Sequence, residues 1–148
     1  MNRITAARTR IEDAGDLPGL LAAAFTAFED IVQVLHFHLE RDDGTFAAFI
    51  LSAGAAANGR DRIAAAPSLP PVIIAAFYAR PAPPADGLLA GVLVLQIAAV
   101  VAGLAGALAG QLTAAADAAA DPRDQISCTH AARHAARILS LLGGAREP

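Results

Sequence analysis

"GLLAGVLVLQIAAVVAGLAGALAG", residues 87–110, holds a single polar side chain, Gln96. A run this long and this apolar either crosses a bilayer or forms a helix hidden on nearly all sides by protein. Its length favours a membrane span, as do the small-residue pairs Gly87/Gly91 and Gly106/Gly110, whose spacing packs helices in lipid. The transfer energetics oppose it. Only Leu, Val and Ile favour hydrocarbon, by about 0.3–0.6 kcal/mol each, while Ala is near neutral and Gly and Gln resist insertion. The ends carry Asp86 and Asp117, with no Trp belt and no Arg cluster to mark a cytoplasmic side.

The run also has two stripes. Leu93, Ile97, Val100, Leu104, Leu108 and Leu112 form a bulky one, and Gly91, Ala98, Ala102, Ala105 and Ala109 form a small one. A helix patterned this way suits the spine of a bundle or a subunit interface. The expectation is therefore a buried spine whose bulky stripe is an interface, completed by a second copy of the chain in a homodimer.

A chain of 148 residues fits one domain with a core of its own. About a quarter of the residues are alanine, a strong helix former that buries little area, so the mean hydropathy of +0.47 overstates the apolar bulk. Six Phe, one Tyr and no Trp leave a core built by close backbone approach. The lone cysteine, Cys128, rules out an internal disulfide and a disulfide-built scaffold. A net charge of −3 argues against nucleic acid as a partner. Arg3, Arg8 and Arg10 resemble the start of an export signal, but Glu12, Asp13 and Asp16 fall where its apolar segment should begin, and the expected compartment is the cytoplasm.

Along the chain, residues 1–15 read as a polar arm. Asp16 with Pro18 starts a helix whose apolar face is Leu21, Phe25, Phe28, Val32, Leu35 and Leu39, ending near Glu40. A second helix starts around Asp43 or Thr45 and reaches Ala66, with Phe46, Phe49, Ile50 and Ala53 on its buried face; Asn58-Gly59 is its weak point, since Asn-Gly is also a turn signal. Pro67, Pro70 and Pro71 stop it. Residues 72–79 read as a short helix and 80–86 as a proline-rich linker. The spine helix then runs from Gly87 to about Ala120. Asp121 caps a last helix, with Pro122 at its first position, and Gly143-Gly144 ends it. The fold class is all-α: one domain, 1–148, of four main helices and a short one around the apolar spine.

Candidate chemistry is sparse. Thr26, Glu29, Gln33, His36 and Glu40 share one face of the first long helix, and His130 and His134 are one turn apart on the last. Glu29, His36, Glu40, His130 and His134 are the candidate metal ligands, set against a reading of solvated faces and an i,i+4 His36–Glu40 pair. Carboxylate-bridged di-iron bundles use Glu-x-x-His, which this chain lacks, and His36 and His38 point to different faces. Neither a metal nor a cofactor is expected. Cys128 lies near His130 and His134, the arrangement a reactive thiol needs, but reads first as a small buried hydrophobe. Phe25, Phe28, Phe46 and Phe49 could line a small-ligand pocket. The cluster Asn58, Arg60, Asp61 and Arg62 reads as an exposed turn.

Arg123, His130, Arg133, His134 and Arg137 form a basic stripe of a kind that reads phosphate, from nucleic acid or a nucleotide; without interleaved aromatics it reads first as a solvated face that Asp117, Asp121 and Asp124 balance. Neither a phosphate-cradling glycine loop, a nucleophile elbow nor an HExxH zinc motif occurs. The sequence thus points to a non-enzymatic, self-associating helical interaction or assembly protein. The alternatives are a membrane-associated protein with 87–110 inserted, and a bundle binding a small ligand or metal through its His and Glu residues.

Overall fold

The computed structural model describes residues 3–41, 47–79 and 96–143, and all of its regular structure is helical. The elements are α1 (Arg3–Asp13), α2 (Leu17–Arg41), α3 (Ala47–Ala64), α4 (Pro71–Ala79), α5 (Ile97–Ala118) and α6 (Pro122–Gly143). No strand occurs among the described residues. The expected linker 80–86 and the start of the spine helix lie outside them.

The segment read as a polar arm is a helix. Ile4, Ala7 and Ile11 recur at spacings of three and four and are buried, so α1 presents one narrow apolar stripe between charged flanks. A carboxylate reinforces its docking: Asp30 of α2, fully buried, lies 3.6 Å from an Arg3 guanidinium nitrogen and 3.9 Å from one of Arg10. Two cations from one helix thus hold a buried anion on its neighbour, and breaking such a set leaves an uncompensated charge.

Local signals set the other boundaries. Asp16 Oδ1 accepts the Gly19 N–H at 2.8 Å, which caps α2 with Pro18 in its first turn. Asp121 Oδ1 accepts the Arg123 N–H at 2.9 Å and caps α6 in the same way. The α2 face Leu21, Phe25, Phe28, Val32 and Leu35 is buried as patterned, and Leu39 packs on it partly. Helix α3 runs unbroken through Asn58-Gly59. Gly59 is there for contact rather than for a turn: a Cβ on it would meet the Phe28 ring at 2.5 Å. Ile50, expected inside, is 53% exposed, and the inner face of α3 is instead Phe49, Ser52, Ala53, Ala55, Ala56, Gly59 and Ile63. Phe46 lies outside the described residues.

The helices pack as a closed ring, α1–α2–α3–α6–α5 and back to α1. Helices α2 and α5 touch only slightly, because α1 occupies the gap between them. Phe28, Ile31, Leu35, Ile63, Leu104, Leu108, Leu112, Ile138 and Leu142 fill the centre. The four main helices are thus α2, α3, α5 and α6, joined by α1 as a fifth wall and by the short α4 outside.

Candidate interaction surfaces

The bulky stripe on α5 is satisfied within one chain. Ile97, Leu104, Leu108 and Leu112 are buried against this chain's own helices, and Val100 is half-buried. Helices α1 and α6 flank α5 and supply that cover. The stripe is therefore core, and the reading of it as a subunit interface is corrected: it missed α1. Leu93 lies outside the described residues. The outward face of α5 is a row of small residues, with Ala99, Gly103, Gly106 and Ala107 flooring an open groove of about 520 Å³ between Arg8 and Glu12 of α1 and Leu139 of α6. The Arg8 guanidinium lies over Gly103, where an added Cβ would meet Nη1 at 2.9 Å.

The candidate metal ligands do not converge. Glu29 is buried on α2, where its carboxylate accepts from Arg60 Nη1 of α3 at 2.6 Å and from Gln33 Nε2 at 2.6 Å. Both oxygens are taken by protein donors, and a guanidinium stands where a cation would sit. His36 is exposed, and the Glu40 side chain lies outside the described residues. His130 and His134 are half-buried on α6, which packs against α3 and α5. Among the described residues no three His, Cys, Asp or Glu side chains group to hold an ion.

Cys128 is buried, and burial first, then the charge of Asp124, push its thiol up to about 11. A thiolate nucleophile needs the opposite shift. Asp124 is committed elsewhere: its carboxylate accepts the Ser68 N–H at 3.0 Å and the Ser68 hydroxyl at 2.6 Å, tying the α3–α4 connection to the first turn of α6.

The phenylalanines separate. Phe28 is wedged against Gly59, and Phe49 stacks at a tilt on His38 with ring centres 5.1 Å apart. Phe25 meets Phe77 of α4 edge to face at 5.3 Å, and the Arg60 guanidinium lies 5.4 Å from the Phe77 ring centre. Beneath α4 these groups enclose a cavity of about 90 Å³, lined by Phe25, Thr26, Glu29, Ile73, Ala76 and Phe77. That space suits small solvent molecules rather than a drug-sized ligand. A larger open hollow of about 340 Å³ lies between the α1–α2 turn and the end of α5, lined mostly by alanine with Asp16 and Gln111. The Asp16 oxygen there is engaged in capping α2.

What stands out is surface. Helix α4 is apolar throughout and has no buried residue; Val72 is 67% and Tyr78 80% exposed. On the other side of α3, Arg62 joins His130, Arg133, His134 and Arg137 in a basic face. Compared with known protein families, with characterised proteins and with solved structures, the chain has no match.

Proposed function

We propose that this chain is a non-enzymatic helical interaction protein of the cytoplasm that self-associates through helix–helix contacts, with α4 as the contact helix. One observation carries the reading: α4 has nine residues, no charged side chain and none buried, held to the bundle mainly along Ile73, Ile74 and Phe77. An apolar helix lying on a folded domain with its outer side in water is a surface that association would cover. The scattered donors and the protein-satisfied Glu29 support a binding role over catalysis.

The test is size-exclusion chromatography with light scattering on protein prepared without detergent, for wild type and for Val72→Glu/Tyr78→Glu. The reading expects a dimer or small oligomer that the double variant converts to a monomer with unchanged helicity. A wild-type monomer at all concentrations refutes it. The disrupting change belongs on α4, since Leu104→Arg would bury an unpaired charge in the core and unfold the chain rather than release folded subunits.

A second reading, membrane association, is favoured by α5 itself. Its most apolar 18-residue window has a mean hydropathy of 1.8 with 39% of it buried, and α2 also meets the length and composition of a span. Recovery of the native protein only from membranes, with detergent, would support that reading in place of the first.

A further inference from the structure

Only the first member of the basic stripe of α6, Arg123, meets one of the acids that its sequence neighbours suggest; the part from His130 to Arg137 does not. Asp121 is paired with Arg123, whose Nη2 lies 3.1 Å from its carboxylate. Asp124 turns inward to Ser68. On α3, Asp61 is held by Arg60 at 3.4 Å. Arg62, Arg133 and Arg137 make no ion pair with any described residue, although the chain as a whole is acidic.

These cations gather on one face. His130, Arg133, His134 and Arg137 are three and four residues apart, so they share one side of α6. Helix α3 packs along α6 and brings Arg62 in from the neighbouring helix. The groups feel one another: burial first, then Arg62, His130 and Arg137, hold the His134 imidazole below its ordinary value. Like charges collected without internal compensation cost stability, and an anion bound among them removes that cost. Arg62 of α3 and Arg137 of α6 both act on His134, so guanidinium groups from two helices share a face with imidazoles, and these donor types are the ones a tetrahedral oxyanion takes. Nothing aromatic is interleaved with them, as stacking of nucleic-acid bases would require.

We propose that the α3–α6 face formed by Arg62, His130, Arg133, His134 and Arg137 is a binding site for a phosphate group, carried by a free phosphate compound or by an anionic lipid headgroup. The site is on different helices from α4 and does not rest on the self-association reading.

The experiment titrates the full chain with inorganic phosphate and with tripolyphosphate, following the His130 and His134 ring signals by NMR and the melting temperature, against sodium chloride at matched ionic strength. The site predicts saturable shifts at both histidines and a rise in melting temperature beyond that in chloride. Arg62→Gln/Arg137→Gln, two exposed positions, should weaken tripolyphosphate binding about tenfold or more while helicity is retained. Arg123→Gln, which removes a cation already paired with Asp121, should leave it unchanged. Vesicles containing phosphatidylglycerol, against pure phosphatidylcholine, separate the sources. Co-sedimentation lost in the double variant assigns the phosphate to a headgroup, and its absence alongside tripolyphosphate binding assigns it to a free compound. Equal effects of phosphate and chloride would overturn the proposal, as would full binding by the double variant. Binding to duplex DNA tighter than to tripolyphosphate would also overturn it, since that is a polyanion track rather than a phosphate site.

Discussion

Gly54 and Gly59 lie five residues apart on α3, yet the structure gives their alanine variants opposite signs. In a helix interior, Gly→Ala stabilises by about 1 kcal/mol through the entropy of the unfolded chain. At Gly54 an added Cβ meets nothing within 4 Å, so that gain is kept in full. At Gly59 it would meet Phe28 Cε1 at 2.5 Å, Cζ at 2.6 Å and Cδ1 at 3.0 Å. Carbon contacts settle near 3.5–4.0 Å, so the ring or the helix must move by about 1 Å. The Phe28 ring is rigid and wholly buried, so the movement passes into packed neighbours. Overpacking of this kind costs about 1–3 kcal/mol; at its upper end it outweighs the propensity gain and leaves Gly59→Ala about 1–2 kcal/mol less stable than wild type. For a chain of this size each kcal/mol moves the melting temperature by about 2–4 °C. Thermal melts by circular dichroism should therefore show Gly54→Ala a few degrees above wild type and Gly59→Ala a few degrees below. Adding Phe28→Leu to Gly59→Ala should cost less than the sum of the two single changes, because a smaller side chain relieves the clash. A Gly59→Ala variant as stable as Gly54→Ala would refute the close crossing of α2 and α3.

Three further outcomes follow from the same packing. Asp124→Ala removes the acceptor of both Ser68 hydrogen bonds and should cost about 2–3 kcal/mol by chemical denaturation, with Asp124→Asn intermediate; a neutral Asp124→Ala would show that the α3–α4 connection is held by other means. Cys128 should react with a thiol reagent only as fast as the chain opens, with reactivity rising in denaturant; rapid modification of the native protein at neutral pH would contradict its burial. His134 should titrate below the ordinary 6.5 by NMR, because of burial and then Arg62, His130 and Arg137. Its unfolded form takes up the proton first, so its contribution to stability is complete above pH 6.5 and lost as pH falls toward the folded value. Arg62→Gln should narrow that window, and a native value at or above 6.5 would show that these cations do not act on it.

Much of this fold is legible because its signals are local. Asp16 and Asp121 act on backbone N–H groups two or three residues ahead, and the α2 stripe repeats within single turns. The failures are of another kind. The stripe Ile4, Ala7 and Ile11 is diluted by Arg3, Arg8, Arg10, Glu12 and Asp13, so α1 passed for a polar arm, and its partner Asp30 lies far along the chain. With that stripe unread, nothing in the sequence covers the bulky side of α5 except a second subunit. Gly59 carried a turn signal whose real cause, the Phe28 ring, sits on another helix. Glu29 was visible as part of a polar face with Gln33, but Arg60, 31 residues away, decides that it is satisfied by protein. The basic stripe itself was plain in the sequence. The sequence does not reveal that Asp121 serves only Arg123 at the start of the stripe and that Asp124 turns inward to Ser68.

That last point separates the two surfaces left on the molecule. Among the described residues most of the large aliphatic side chains are consumed by the ring of helices; the exposed apolar ones are divided among α3 (Ile50, Leu51), α4 (Val72, Tyr78) and α6 (Ile126, Leu139), and α4 is the element with none of its residues buried. Arg62, Arg133 and Arg137 make no ion pair with a described residue for a different reason: Asp121 is taken by Arg123 and its own cap, Asp61 by Arg60, and Asp124 by Ser68. One surface would work by excluding water and the other by charge, and salt acts on them in opposite directions. Raising ionic strength leaves apolar association intact or strengthens it, and screens an exposed phosphate site. If association through α4 and phosphate binding at Arg62 and Arg137 are separate, high salt abolishes the second while the oligomer persists. Joint loss of both would mean that the cationic face lies within the subunit contact.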